Sequence, residues 1–350
     1  LGAAAFLIAE FLKISYLDVI RMAVIPTCLY YLSLLVMVEI DSRRFGAGAV
    51  PFEKAEKLGK LMREHGFHFV SLVSIVVFMM LGYSPILSVF WATVVAYAMS
   101  FLRRDSALVP AKLGHALARG SIGMLNVGAT CAAAGIIVGV VTLTGLGLKF
   151  SSIAIAYAGG SLVLTAIYTA LIVWVVGLAV PVTASYIICA VIAAPALIQL
   201  GVPNYAAHMF IFYYAVLSEV SPPTALSPFA AAAITGGDPY KTTLQCWKYT
   251  VPAFLVPFMF VLAPEGQGLL LMGSVKALTT ANWWSIAHVT VTAAVGIAAL
   301  AAGFQGWALK RTTLLERWMF IFAGIALVVP SATTDALGFG LVIAALAIQT

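Results

Sequence analysis

Apolar runs of roughly 17 to 25 residues, the length that crosses a bilayer as a helix, recur along the whole chain between short polar or Gly/Pro-rich stretches. Residues 1–12 form a short apolar half-segment and residues 16–40 a full span. The stretch 41–64 carries charges of both signs and reads as an amphipathic helix at the membrane interface. Two shorter spans, 67–82 and 85–102, meet at the turn Gly82-Tyr-Ser-Pro85, and a further span covers 121–145. Thr144-Gly-Leu-Gly147 introduces a second interfacial helix at 149–159, and spans follow at 205–235, 249–263 and 283–304. The pattern predicts an all-α polytopic membrane protein of about eight to ten membrane segments.

Two stretches admit more than one reading. Residues 160–200 are either one span followed by a loop, which leaves Thr183 to Leu200 with nowhere polar to go, or a re-entrant hairpin whose arms meet at Gly177-Leu-Ala-Val-Pro-Val-Thr-Ala-Ser185. The tail, Trp318 to Thr350, holds two apolar stretches broken by Pro330-Ser-Ala-Thr-Thr-Asp335, which are two short spans or a second, shallow hairpin.

Composition and charge sharpen this. Of 350 residues 63% are hydrophobic and 9% charged, against about 25% charged in a soluble domain, and no polar stretch is long enough for a separate soluble domain. The net charge of +6 does not point to nucleic acid, because the basic residues cluster where cytoplasmic loops place them. With the hairpin, all 19 lysines and arginines except Lys13, Arg21, Lys149 and Lys276 fall on the cytoplasmic side. With a simple span, Lys241, Lys248, Lys310, Arg311 and Arg317 switch sides, so charge bias favours the hairpin. The single membrane domain then divides into residues 1–41, the end of a first repeat; 42–145, connecting and scaffold helices; 146–264, a second repeat containing hairpin 160–200 and broken helix 205–235; and 265–350, a C-terminal membrane extension. The chain starts at Leu1, with neither a basic leader nor a small-residue cleavage site, and reads as N-terminally truncated.

The chemistry concentrates at Ser218-Glu-Val-Ser-Pro-Pro-Thr224. Pro222 and Pro223 lack an N–H, and Ser221 is biased away from helical torsions by the proline after it. At bilayer depth such a break survives only against protein or a wet cavity. The carbonyls just before it, with the hydroxyls of Ser218, Ser221, Thr224 and Ser227, are hard oxygen ligands suited to a small cation. The start of the second half-helix, near Thr224, favours an anion. Glu219 adjoins the break, and an intramembrane acid is costly enough to imply function. Broken helices build ion and substrate sites in secondary transporters in this way; the plain alternative is a structural proline kink. The hairpin tip, Gly177 to Ser185, supplies a second irregular stretch at similar depth.

A faint repeat accompanies the break. Phe6, Tyr16 and Ile25-Pro26 before a long apolar run echo Phe229, Tyr240 and Val251-Pro252 before another. The two copies turn on opposite sides of the membrane, as inverted repeats do.

Other candidates are plainer. His208 is an interfacial histidine or a proton relay, and Asp18 and Arg21 form a local ion pair. Asn126, Thr130 and Thr142 lie in a small-residue span whose Gly135-Ile-Ile-Val-Gly139 fits close helix packing. Cys28, Cys131, Cys189 and Cys246 read as buried free thiols, and Trp283, Trp284, Trp307 and Trp318 as an interfacial belt. The 13 acidic residues are spread singly, with no convergent set for catalysis or a metal, so a membrane enzyme is disfavoured. Nothing lines a continuous channel pore. A non-transporting structural membrane subunit is the alternative to a transporter.

Leu1-Gly-Ala-Ala-Ala-Phe-Leu-Ile-Ala-Glu10, Ala132-Ala-Ala-Gly-Ile-Ile-Val-Gly-Val-Val-Thr-Leu-Thr-Gly-Leu-Gly-Leu148 and Ser218-Glu-Val-Ser-Pro-Pro-Thr-Ala-Leu-Ser-Pro-Phe-Ala-Ala-Ala232 resemble the fused permease of tripartite ATP-independent periplasmic (TRAP) transporters, TAXI subclass. The tail, with Ala302-Gly-Phe-Gln-Gly306 and Leu315-Glu-Arg317, is similar to that subclass too. The resemblance implies an elevator-type, ion-transporter-superfamily-like permease of the bacterial inner membrane. It would import small organic acids such as dicarboxylates, coupled to sodium without another cofactor, in contact with membrane lipid and fed by a periplasmic TAXI-type binding protein. It implies a sodium and substrate half-site at the tip, with Gly177, Val180, Thr183 and Ser185, and at the break, with Ser218, Glu219, Ser221, Pro222, Pro223 and Thr224. Ser221 and Thr224 would ligate sodium. In the family Leu1-Gly-Ala-Ala-Ala-Phe6 directly follows the first half's own Pro-Pro break. A missing N-terminal half would therefore be a required partner, and an isolated 350-residue piece is not expected to transport.

Overall fold

The structure, a computed structural model, describes residues 4–46, 58–103, 106–178, 180–223, 225–271 and 283–349. The described residues are helical almost throughout. In chain order the helices are α1 (Ala4–Leu12), α2 (Tyr16–Phe45), α3 (Leu58–His65), α4 (Phe69–Met80), α5 (Pro85–Ser100), α6 (Pro110–Thr144), α7 (Leu146–Tyr157) and α8 (Leu162–Gly177). There follow α9 (Val182–Ile192), α10 (Ala194–Gln199), α11 (Asn204–Ser218), α12 (Leu226–Thr235), α13 (Pro239–Thr250), α14 (Val256–Val261), α15 (Trp283–Gln305), α16 (Leu314–Ala326) and α17 (Ala332–Gln349). Five of the segments are long and apolar enough to cross a membrane, six if one bent pair counts as a span. Shorter apolar helices, α4, α5, α7 and α8 among them, account for the larger number of segments read from the sequence.

The chain divides into two compact units, Gly48–Ala129 and the remainder. In the first, α4 and α5 form a helical hairpin. Gly82 turns it at φ +90°, and the Ser84 hydroxyl caps α5 by accepting from the Leu87 N–H. Much of the interfacial helix expected at 41–64 falls on residues 47–57, outside those described. On either side, α2 continues to Phe45 and α3 begins at Leu58.

The second unit holds the main core, where α1, α2, α8, α9, α10 and α11 bury Ile8, Met22, Val173, Tyr186, Leu197 and Phe210 together. Residues 160–200 fold as α8 followed by α9 and α10, which pack back on α8. Two local arrangements look alike. Short α1 turns into α2 with the Ser15 hydroxyl capping the second helix, and short α12 turns into α13 with the Asp238 carboxylate doing so. They differ at the proline, since α2 runs through Pro26 whereas the helix after Thr250 tightens to 3-10 geometry over Val251–Leu255.

Several elements depart from the pattern-based reading. The span expected at 121–145 starts at Pro110, because Lys112 and Arg119 are good helix formers and nothing breaks the helix before Gly145, at φ +67°. The span expected at 249–263 starts instead at Pro239, is interrupted at Pro252, and then bends by 115° into Pro264–Leu270. Among the described residues nothing comes within 4 Å of a Cβ built on Gly135 or Gly139. Close helix packing occurs at Gly296 and Gly324, where a methyl on Gly324 would lie 2.3 Å from Leu300 Cγ and 2.8 Å from the Gly296 carbonyl oxygen. Of the four free thiols only Cys189 is buried, and Cys28 is exposed. The tail forms two packed helices, α16 and α17.

Asp41 ties α2 to α13. The carboxylate is 6% exposed and accepts from Gln245 Nε2 at 3.0 Å and from the Tyr249 hydroxyl at 2.8 Å. Removing a donor to a buried carboxylate costs roughly 1.5–3 kcal/mol. Tyr249→Phe is therefore expected to lower the thermal midpoint of the purified protein, while Tyr240→Phe, at an exposed position, leaves it unchanged.

Candidate functional site

The helix begun at Asn204 stops at Ser218 and resumes at Leu226. Through the break, the N–H groups of Glu219, Val220 and Ser221 turn back to the carbonyls of Val216, Leu217 and Ser218. The Pro222-Pro223 bond is cis. Neither proline offers an N–H, and among the described residues no donor reaches the carbonyls of Glu219 or Val220. The Ser218 hydroxyl donates to the Ala215 carbonyl at 2.8 Å and the Ser221 hydroxyl to the Leu217 carbonyl at 3.0 Å. Both hydroxyls thus keep lone pairs directed away from their own helix. Ser218 and Ser221 are fully buried.

The hairpin tip lies on this break. A Cβ on Gly177, the last residue of α8, would sit 2.2 Å from Ser218 Oγ, 2.7 Å from Ser218 Cβ and 3.1 Å from Ser185 Oγ. Only glycine lets the two backbones approach so closely. One turn earlier, Trp174 donates its indole N–H to Ser221 Oγ at 2.9 Å, and its ring stacks on Trp247 of α13 at 6.1 Å and 9°. Ser185 is fully buried. Its hydroxyl has no oxygen or nitrogen partner among the described residues, only the Cys189 thiol nearby. The Trp247 indole N–H is likewise buried and unpartnered.

Of the sequence-derived positions, Gly177, Ser185, Ser218 and Ser221 are brought together. Glu219 is half-buried and its carboxylate makes no ion pair among the described residues. Pro222 is half-buried and Pro223 exposed. Val180 packs instead against the apolar cluster of Ala134, Ala184 and Ile187, and Thr183, half-buried in the first turn of α9, makes no hydrogen bond to the break. Thr224 lies outside the described residues. Ser227 is exposed on α12. Trp174 and Trp247 were not singled out from sequence, although an indole within an apolar segment needs a partner for its N–H.

Around the break the walls are aromatic. A cavity of about 160 Å³ between α2 and α11 is lined by Thr27, Tyr30, Tyr31, Phe212 and Tyr213 together with Val216 and Leu217, which immediately precede the break. His208 is 8% exposed, and its Nδ1 lies 2.8 Å from the Tyr186 hydroxyl. Asp18 and Arg21 pair at 3.2 Å. Neutral hydroxyls and free carbonyls in a buried contact can hold a small hard cation. Among the described residues no group of three or more His, Cys, Asp or Glu could hold a metal ion.

Membrane-crossing helices, an interrupted helix and a buried contact of hydroxyls and carbonyls are the parts of a membrane transporter. The family follows from comparison: residues 1–278 match the model described as Tripartite ATP-independent periplasmic transporter, DctM component, and the chain belongs to that family. It is a TRAP large permease subunit, a multi-pass protein of the bacterial inner membrane and not an enzyme. It carries out secondary transport that depends on a periplasmic substrate-binding protein. No match was found among curated proteins or among solved structures.

Proposed function

We propose that this permease is of the TAXI subclass and imports small organic acids such as dicarboxylates, driven by sodium bound where the hairpin tip meets the helix break. The observation that carries the reading is the seating of Gly177 on Ser218 and Ser185 with Trp174 bonded to Ser221. Two interrupted backbones meet there, and the carbonyls of Glu219 and Val220, which no donor reaches among the described residues, adjoin them. Ser221, with Thr224, supplies sodium ligands. The start of α12 and the buried Trp247 N–H offer positive ends to a substrate carboxylate. Ser185, Ser218 and Glu219 complete the polar wall, while Val180 and Thr183 shape the tip from the far side. Sodium entering down a membrane potential contributes about 2.3 kcal/mol per charge per 100 mV, so more than one ion drives an anion uphill. The similar layouts of α1–α2 and α12–α13 support an inverted-repeat, elevator-type mechanism in which the tip travels with its break.

The test is uptake in liposomes by the permease assembled with the N-terminal half that the resemblance requires, supplied with its TAXI-type binding protein. Replacing external sodium with choline is expected to abolish uptake. Ser221→Ala combined with Thr224→Ala is expected to raise the half-saturating sodium concentration by roughly tenfold or more, the worth of one or two lost ligand oxygens. Uptake indifferent to sodium, or a double variant with unaltered sodium dependence, would overturn the reading.

A further inference from the structure

Arg44 at the end of α2, Lys248 on α13, and Arg311 and Arg317 around the start of α16 line one cavity of about 380 Å³, and no acidic residue lines it. Four like charges around a hollow repel one another, so each needs a reason to be there. Two have a partial one. Arg44 Nη1 donates to the Gln305 carbonyl at 3.0 Å, and Arg317 donates to the carbonyls of Gly303 and Phe304 at 2.8 and 3.3 Å. These are the last carbonyls of α15, which have no partner within the helix. Carbonyls accept hydrogen bonds without cancelling a full charge, so the field in the hollow stays positive. The side chains of Lys248 and Arg311 make no hydrogen bond or ion pair among the described residues.

The neighbouring acid, Glu316, does not line the cavity, and its one charge offsets only part of the four cations. The Glu316 carboxylate accepts from the Thr313 N–H at 2.7 Å and the Gln349 amide at 3.1 Å, closing a capping box at the start of α16. The loop carrying Arg311 is held in place without any ligand. Gly306 turns at φ +68°, Thr312 N–H bonds the Gly306 carbonyl at 3.1 Å, and Gln349 accepts from the Leu309 N–H at 3.0 Å. The cationic hollow is therefore preorganised.

Its rim is apolar. Leu314 lines the cavity and is 72% exposed, and Trp318 and Phe322 continue the same helix, stacked at 5.7 Å and both exposed. A cation cluster beside a lipid-facing apolar strip matches an amphiphile with an anionic head. A soluble phosphate would use only the hollow. Basic hollows between membrane helices on the cytoplasmic side suit anionic lipid headgroups, and this one lies where charge bias places the cytoplasm.

We propose that this cavity binds the phosphate of an anionic glycerophospholipid of the inner leaflet, with the acyl chains laid along Leu314, Trp318 and Phe322. The site joins two parts of the chain. Arg44 and Lys248 lie within the family-matched residues 1–278, whereas Arg311, Arg317 and α16 lie beyond them, so the bound lipid fastens the C-terminal helices to α2 and α13.

The test uses the intact protein in neutral detergent, titrated with dioctanoylphosphatidylglycerol, with bound lipid counted by native mass spectrometry. Each basic side chain near an anionic headgroup is worth roughly fivefold in affinity. Lys248→Gln with Arg311→Gln, which removes no hydrogen bond of the fold, is therefore expected to weaken binding by about thirtyfold. Lys149→Gln with Lys241→Gln, an equal change of net charge away from the cavity, is expected to leave affinity unaltered. Dioctanoylphosphatidylcholine is expected to bind at least about tenfold more weakly than the anionic lipid. Equal affinity of the cavity variant and the wild type, equal loss in the distant control, or equal binding of the neutral lipid overturns the proposal. If glycerol 3-phosphate binds as tightly as the lipid, the site takes a soluble phosphate ester and the lipid assignment fails.

Discussion

Gly266→Ala is expected to reduce the yield of monodisperse protein by at least about tenfold, as a cost of several kcal/mol does in a fold only about 5–15 kcal/mol stable. Gly266 follows the 115° bend between Val261 and Pro264, where the chain doubles back on α14. A Cβ there would lie 1.7 Å from the Met259 carbonyl oxygen, 2.7 Å from its carbon and 3.3 Å from Phe260 Cα. All three are backbone atoms of fully buried residues, so no rotamer change relieves the clash. Overpacking a core with a methyl ordinarily costs about 1–3 kcal/mol because side chains yield; here the turn itself must open, which also breaks the Gly266 N–H bond to the Ala263 carbonyl. Gly268→Ala is the control, since its Cβ would meet only Ile286 Cγ1 at 3.4 Å. The check is size-exclusion yield with thermal midpoints for both variants. A Gly266→Ala midpoint within about 2 °C of the wild type would show that the backbone of Met259 does not crowd position 266.

That bend shows where sequence reading stops. Pro-Pro at residues 222–223 is visible because proline removes its own N–H, a local fact, and the helix does stop at Ser218. Counting basic residues, also a one-dimensional signal, favours the hairpin; α8 packs against α9 and α10, while Val182–Gln199 is itself long and apolar enough to cross a membrane. Pro252, Pro264 and Gly266 carry the same kind of information, but neither their position nor their type sets the direction or size of the bend. Pro26, with the same chemistry, sits inside the continuous helix α2, and the residue alone does not distinguish the two cases. Glycines make the same point. Gly135 and Gly139 have the helical spacing of a packing face, yet among the described residues they meet nothing, while Gly296 and Gly324 face each other from helices joined by a loop.

For the site, sequence named the interrupted stretches, and the structure supplied their meeting. The bond from Trp174 to Ser221 links residues 47 positions apart, and no periodicity encodes it. The helix α6 begins at Pro110, ahead of the apolar run at 121–145, and carries Lys112 and Arg119, because charge marks a boundary of the membrane but no boundary of a helix. Charge bias along the sequence suggests a cytoplasmic side but does not reveal the hollow, because Arg44, Lys248, Arg311 and Arg317 converge only once α2, α13 and α16 are packed.

The second large effect is expected at the tip. Gly177→Ala should leave a folded, monodisperse protein with uptake lowered by about a hundredfold, the loss that roughly 1 Å of misplacement causes at a preorganised site. Turning the Ser218 hydroxyl away would relieve the 2.2 Å contact, but Ser218 Cβ, at 2.7 Å, is fixed to its backbone. The arms must therefore part, carrying Trp174 away from Ser221. Pairing the change with Ser218→Gly separates this effect from loss of a ligand. Ser218→Gly alone removes a hydroxyl and costs about 0.5–1 kcal/mol of helix stability. If the close approach is what Gly177 provides, the methyl finds space once Ser218 lacks a side chain, and the double variant transports like Ser218→Gly rather than worse. That is a coupling between two positions in contact, and additive losses would show instead that Gly177 acts through something other than its seat on Ser218.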